Sequence, residues 1–257
     1  FYRANELNQY SEIRNPQSEI TPTHDLDGNL TSDGRFTFAW DAENRLIAVE
    51  NRNGVAAQDW FKLVLAYDYM GRRFSKKQFG WSAQDGDWQA TATKEHTFLY
   101  DGWNLIREDM FERRVPAGGG PPRPPGPPPG RGNPPPQGGS PSGGIQVVVS
   151  TNYHCWGLDL SGSLQGAGGI GGLLATVQSS ADLSAIAYFA TADANGNITE
   201  YVDAQGSIAA HYEYDPYGNL MAASGDHAGE FNFRFSTKYW DGETGSYYYG
   251  RRWYSPS

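Results

Sequence analysis

Residues 212–220 read YEYDPYGNL, and Asp215, set between Tyr214 and Pro216, is the kind of residue that serves as a catalytic acid or a nucleophile. Other stretches also invite chemistry. GAGGIG at 166–171 fits the G-x-G-x-x-G fingerprint, which brings backbone amides close to a dinucleotide's phosphates. DANGNITE at 193–200 and HDLDGNL at 24–30 set oxygen-bearing side chains two residues apart, as calcium loops do. His154 and Cys155 adjoin, a base beside a thiol. Each has a simpler explanation. The dinucleotide loop needs a helix after it and an acidic residue about twenty positions on, whereas LLATVQ favours a strand and only Asp182 and Asp193 are acidic between 172 and 199. The calcium-like segments lack a full ligand set, and their glycine falls early for that loop. Neighbouring residues of an extended strand point to opposite faces, so His154 and Cys155 are poorly placed as a base and its nucleophile. His24, His96, His211 and His227 stand singly, without ligand spacing. The expectation is a chain with no catalytic, cofactor or metal site.

Recurrence decides how Asp215 is read, because a turn has reason to repeat and a catalytic aspartate has none. An aromatic or apolar residue, Asp, two free positions, Gly or Asn, a polar residue and an aliphatic one recur along the chain. They appear in HDLDGNL (24–30), WDAENRL (40–46), YDYMGRR (67–73), ADANGNI (192–198), VDAQGSI (202–208) and YDPYGNL (214–220), with YDGWNLI (100–106) a looser copy. An Asp that opens a turn accepts hydrogen bonds from the backbone N–H groups just ahead, while the residue three positions later often takes positive φ. Gly28, Gly71, Gly196, Gly206 and Gly218 do so without a Cβ, and Asn44 and Asn104 are the residues that best tolerate the left-handed region. Asp25, Asp41, Asp68, Asp101, Asp193, Asp203 and Asp215 are therefore expected at hairpin tips, with a bulge at the positive-φ position.

The flanking segments must then be strands. RFTFAW before Asp41 and RLIAVE after Glu43 alternate apolar and polar residues at period two, and FKLVLAY, HTFLY, SIAAHYEY and SYYYGRRWY behave alike. Helical signals are almost absent. The pattern predicts an all-β protein of successive antiparallel hairpins, with tyrosines packed across neighbouring strands. Tyr247, Tyr248, Tyr249, Trp253 and Tyr254 read as core packing in preference to a sugar-stacking surface.

Composition narrows the partners. A net charge of -9 over 257 residues, with no Lys/Arg run longer than a pair, argues against nucleic acid. No apolar run approaches the ~18 residues of a membrane-spanning helix. Cys155 is the single cysteine, which excludes a disulfide framework and a multi-cysteine metal site. The sequence begins at Phe1 without Met and stops at RRWYSPS, and so reads as a fragment.

These tandem Tyr-Asp hairpins resemble Rhs (YD) repeats. WGLDLSGSLQGAGGIGGLL, YEYDPYGN, FRFSTKYWDGETGSYYYGRRWYSPS and the upstream FAWDAENRLIAVENRNG are similar to the phrases of that family, the later ones to its Rhs repeat-associated core region. The resemblance spans nearly the whole chain apart from residues 115–145. It implies strips of hairpins wound into a spiral hollow β-shell, which commonly encloses the toxic C-terminal domain of a bacterial polymorphic toxin. Relatives occur in insecticidal toxin complexes and teneurin adhesion proteins. The partners implied are the remainder of the same polypeptide shell, its enclosed toxin, and an immunity or secretion-system protein; the location implied is secreted or cell surface. Family members continue past the Tyr-x-Pro-x segment into an Arg-Asp-Pro motif, where aspartyl autoproteolysis releases the cargo. Asp215-Pro216 lies upstream, inside a hairpin motif, and is not that site. The alternative reading is a non-enzymatic adhesion module that binds a glycan or a partner.

Three segments follow: residues 1–115 hold the repeat hairpins, 116–144 a Pro/Gly-rich linker or loop insertion, and 145–257 the core region, truncated before the cleavage motif. All of the 16 prolines except Pro16, Pro22, Pro216 and Pro256 fall in the middle segment, which leaves it almost without donors for a sheet. It reads as a solvated, polyproline-like loop. Its PPRPP resembles ligands of proline-binding modules, but an insertion is favoured because the β pattern resumes beyond it.

Overall fold

The computed structural model describes residues 2–114, apart from 8, 16, 17 and 53, and residues 145–256, apart from 183. The segment assigned above as a Pro/Gly-rich linker, 116–144, lies outside the described residues.

Alternating residues build strands throughout. A first small sheet contains β1 (Tyr2–Ala4), β2 (Tyr10–Asn15) and β3 (Ser18–Ile20). The main sheet then collects β4 (Thr23–His24), β5 (Leu30–Ser32), β6 (Phe36–Trp40), β7 (Leu46–Asn51), β8 (Phe61–Tyr67), β9 (Arg73–Ser82), β10 (Asp87–Trp88), β11 (Lys94–Asp101) and β12 (Asn104–Arg114). It continues with β13 (Ile145–Trp156), β14 (Leu173–Ser180), β15 (Ala185–Ala192), β16 (Ile198–Asp203), β17 (Ile208–Tyr214) and β18 (Leu220–Ser224). A last small sheet holds β19 (Tyr239–Asp241), β20 (Ser246–Tyr248) and β21 (Trp253–Tyr254). Two short 3-10 turns, Ala57–Asp59 and Phe235–Thr237, are the helical elements among the described residues. Among the described residues no helix is long and apolar enough to cross a membrane.

Order in the main sheet follows order in the chain. Its strands run from β4 to β18 with each paired antiparallel to its neighbour, β10 alone standing off the path as a flap on β9. The sheet stays open, with β4 and β18 at its edges. β12 and β13 pair from Arg107↔Tyr153 to Arg114↔Ile145, so one sheet joins both sides of the 115–144 interval. The fold is all-β, of successive antiparallel hairpins. One expected strand is divided: in SYYYGRRWY the run breaks at positive-φ Gly250, where the Tyr249 N–H donates to the Arg252 carbonyl at 2.9 Å and turns β20 back onto β21.

One face of the sheet is covered by the chain's own C-terminal segment. Phe231, Phe233, Tyr239 and Tyr248 from that segment join Phe98, Leu105, Leu173, Tyr188, Ile198, Tyr201 and Tyr212 in a single buried cluster. A second cluster, Phe36, Leu46, Val49, Leu63 and Leu65, lies on β6–β8, and Tyr67 and Trp253 pack against both. Burial of this aromatic and aliphatic area is the main stabilising term, at roughly 25 cal/mol per Å² removed from water.

Candidate functional site

The repeated aspartates share one geometry. In each of the turns at Asp25, Asp41, Asp68, Asp193, Asp203 and Asp215 the aspartate N–H donates to the carbonyl four residues on, and its own carbonyl accepts from the residue three on, at 2.9–3.1 Å. Its Oδ1 accepts two further backbone amides; for Asp215 these are the N–H groups of Tyr217 at 2.8 Å and Asn219 at 2.9 Å. In most of these turns the fifth residue holds Oδ2 as well: Asn219 Nδ2 reaches Asp215 at 2.8 Å, Asn197 Nδ2 reaches Asp193 at 2.8 Å, and Arg72 Nε reaches Asp68 at 2.7 Å. The Asn219 side-chain bond first, with the turn amides, holds the Asp215 carboxyl below its ordinary range. Gly28, Gly71, Gly196, Gly206 and Gly218 have φ between 78° and 90°, and Asn44 takes 58°.

The looser copy at Asp101 is a different turn. Its positive φ, 56°, belongs to Gly102 and not to Asn104, and Asp101 pairs directly with Asn104 across a two-residue loop. Gly at the first central position suits a tight hairpin of this length, so Asn104 begins β12 and donates Nδ2 to the Leu164 carbonyl at 3.2 Å. The left-handed role assigned to Asn104 is thus corrected.

At Asp41, Asp68 and Asp215 the aromatic residue before the aspartate ties its turn to an earlier one. Trp40 Nε1 donates to the Leu30 carbonyl at 2.7 Å, Tyr67 Oη to that of Leu46 at 2.7 Å, and Tyr214 Oη to that of Ile198 at 2.9 Å. Leu30, Leu46 and Ile198 each close an earlier copy of the motif. An amphipathic ring that packs its body and donates at its tip serves both needs.

The candidate chemical segments resolve in kind. GAGGIG forms no helix; it is a turn with positive φ at Gly168, Gly169 and Gly171. Its amides do cradle an anion, but the anion is Asp159, whose Oδ2 accepts the N–H groups of Ala167 at 2.6 Å and Gly169 at 3.1 Å. Burial would raise the Asp159 carboxyl, but the Ser161 hydroxyl and these amides pull it down to about 2. Asp159 opens an unrecognised copy of the same turn: its carbonyl accepts from Gly162 at 2.8 Å and its N–H donates to Ser163 at 2.7 Å. The signal, Asp-x-x-Gly, stood in the sequence. Asp193 spends its oxygens on the turn amides and Asn197. His154 is buried while Cys155 is exposed.

The most concentrated chemistry is a buried charge network that sequence reading did not find. Arg73 and Lys76 of β9 meet Asp241 of β19 at 2.7 and 2.8 Å, and Lys76 also reaches Glu243 at 3.0 Å. Asp241 is 0% exposed and Arg73 1% by side chain. The guanidinium lies against the rings of Phe98, Tyr239, Tyr248 and Trp253, and the Arg73 N–H donates to Tyr248 Oη at 2.9 Å. Burial, the largest single influence, opposes charge on Arg73 and Lys76, but Asp241 acting with Tyr100, Tyr239 and Tyr248 on Arg73, and with Glu243 on Lys76, raises both. Beside them Glu108 of β12 accepts from Tyr239 Oη and pairs with His96 Nδ1 at 2.7 Å. Burial alone would raise the Glu108 carboxyl; His96, Tyr239 and Lys76 hold it at about 2 instead. His154, desolvated next to Phe233, falls to about 4. A groove of about 780 Å³ opens beside this network, lined by Lys76, His96, Asn152, Gln178 and Glu243 among others. The arrangement fastens the C-terminal segment to the sheet with ion pairs on both strands and aromatic rings between them.

A second cavity, of about 340 Å³, lies where the segment meets the Gly-rich turn; Trp103, Trp156, Phe233, Lys238, Tyr249 and Arg251 are among the residues that line it.

Comparison with known proteins agrees with this architecture. Residues 193–228 match the family model for the RHS Repeat. The chain is 24% identical over 255 residues to the tRNA3(Ser)-specific nuclease WapA of Bacillus spizizenii, covering 98% of this chain and 8% of that protein. It is 25% identical over 255 residues to the tRNA nuclease WapA of Bacillus subtilis, again covering 98% and 8%. Among solved structures it is similar to TcdB2-TccC3, with a TM-score of 0.58 and 14% identity, over 99% of this chain and 12% of that one. The chain thus spans under a tenth of the length of these curated relatives.

Proposed function

We propose, from the premise that the chain is an Rhs (YD) repeat protein, that it is a non-enzymatic wall segment of the shell of a bacterial Rhs-type toxin, secreted or at the cell surface. The shell would enclose a toxic domain carried elsewhere in the parent polypeptide. The observation that carries this reading is the open main sheet, in which each hairpin hands on to the next and the final segment is fastened onto one face by the Arg73–Lys76–Asp241 network. A sheet whose end strands, β4 and β18, each pair with one neighbour among the described residues suits a strip that belongs to a larger wall, since exposed strand edges invite further pairing. The nuclease names of the relatives belong to proteins of which this region is a small part. The partners follow: the remaining shell, the enclosed domain and an immunity or secretion-system protein.

The test is limited proteolysis of the full-length parent polypeptide. Its toxic domain should resist protease in the native protein and become sensitive once Asp241→Asn loosens the fastening. Equal digestion of that domain in the native protein and in the isolated domain would overturn the container reading.

A further inference from the structure

We propose that Lys238 is a carbonyl-reactive amine, and that the cavity it lines admits a small aldehyde carrying a ring and a carboxylate. The cavity, at about 340 Å³, falls in the range of small-molecule sites, roughly 300–1,000 Å³. Its walls are the rings of Trp103, Trp156, Phe233 and Tyr249, which suit a flat partner.

Lys238 differs from the chain's paired lysines. Lys62 meets Glu50 at 3.0 Å, Lys77 meets Glu95 at 3.1 Å, and Lys76 meets Asp241 and Glu243. Lys238 forms no ion pair among the described residues. Its Nζ donates to the Gly168 carbonyl at 2.6 Å and stands 5.5 Å from the Tyr249 ring. Asp159, the carboxylate that acts on it from further off, is spent on Ser161, Ala167 and Gly169. Tyr100, Tyr239 and Tyr248 complete the titratable lining, with Arg251 and Arg252. Desolvation lowers Lys238 to about 8, so a large fraction of the amine carries a free lone pair under mildly alkaline conditions.

The reaction needs no oxidant. The Nζ lone pair adds to the aldehyde carbon, the former carbonyl oxygen takes up a proton to give a carbinolamine, and loss of water leaves an imine. The carboxylate preference comes from Arg251 and Arg252, which line the same cavity without an ion pair among the described residues, while no Asp or Glu lines it. Arg251 is held over Trp103 at 5.1 Å, and a guanidinium binds a carboxylate in a bidentate manner.

The experiment uses the intact chain, 4-carboxybenzaldehyde as the probe, cyanoborohydride to trap the imine, and peptide mass mapping. Lys238 should label at least about tenfold faster than exposed Lys94: its fall from 10.5 to about 8 multiplies the neutral amine by roughly 300, and the weaker nucleophilicity of a less basic amine offsets only part of that gain. The labelling rate should rise through pH 8 and level off, and benzaldehyde should label Lys238 several-fold more slowly than the acid. Lys238→Arg keeps the donor to Gly168 and should lose the label with circular dichroism unchanged; if that variant misfolds, the Lys238-to-Lys94 labelling ratio in the native protein decides alone. Labelling in order of exposure, with Lys94 first, would overturn the proposal. An unchanged preference for the acid in Arg251→Ala with Arg252→Ala would overturn its carboxylate half.

Discussion

Neutralising Asp241 should unfasten the C-terminal segment. The side chain is 0% exposed and accepts from Arg73 at 2.7 Å and Lys76 at 2.8 Å. Asp241→Asn preserves its shape but leaves two buried cations with Glu243 alone as a direct partner of Lys76. Breaking one side of a buried ion pair costs about 3–5 kcal/mol, because the surviving charge stays desolvated. The perturbation is read by urea unfolding monitored through tryptophan fluorescence, alongside the rate of proteolysis within residues 226–256. Lys76→Met removes the surplus charge, so the double variant should lose less than the sum of the single ones by about 0.5–3 kcal/mol. A single Asp241→Asn change within about 0.5 kcal/mol of the parent, or strict additivity in the double variant, would refute the account of a coupled network.

Other outcomes follow from the same contacts. Gly206→Ala and Gly196→Ala share a positive φ of 85° and 78°, but an added Cβ meets nothing within 4 Å at Gly206, whereas at Gly196 it meets Ile170 and the Gly171 amide at 2.9 Å. Gly206→Ala should therefore cost about 1 kcal/mol and Gly196→Ala about 1–3 kcal/mol more; equal shifts in urea midpoint would refute the packing argument. Tyr67→Phe deletes the donor to the Leu46 carbonyl and should cost about 1 kcal/mol by the same measurement. Stability should decline in acid: the His154 pKa is lowered from 6.5 to about 4, so its contribution is present above 6.5 and is lost as pH falls toward 4, by up to about 3 kcal/mol. His154→Phe should flatten that window in thermal melts, while Glu108, lowered from 4.5 to about 2, sustains a loss that begins near 4.5 and deepens toward 2.

The hairpins were legible because their determinants are local. Period-two alternation and an Asp three residues before a Gly act within one turn, and the turn forms wherever they occur, as at Asp25 or Asp215. The same rule gave too much at Asn104, where Gly102 already supplied the positive φ, and too little at Asp159, whose turn follows Gly157 instead of a visibly alternating strand. The charge network was illegible for another reason. Lys76 and Asp241 stand 165 residues apart, and Arg73, a charged residue of a kind seldom found inside, is buried. No periodicity in the sequence marks which cation meets which carboxylate, since only the return of the C-terminal segment across the sheet creates the pair.

That contrast explains why an aromatic residue precedes Asp41, Asp68 and Asp215. A turn closed by Asp and Gly satisfies its own backbone and has no means of fixing the distance to the next turn. The ring supplies that coupling: Tyr67 reaches Leu46 and Tyr214 reaches Ile198, each across to an earlier copy. Trp156 does the same toward Leu105, donating at 2.7 Å ahead of the turn at Asp159. Coupling of this kind is nearest-neighbour, so it can extend a strip indefinitely but cannot end or close one. Closure needs contacts that skip many repeats, and those present here include the ion pairs from β9 to β19, the Tyr239 bond to Glu108 and the rings packed on Arg73. The repeat therefore sets the sheet, and the charged fastening sets where the chain stops following it and crosses the sheet's face.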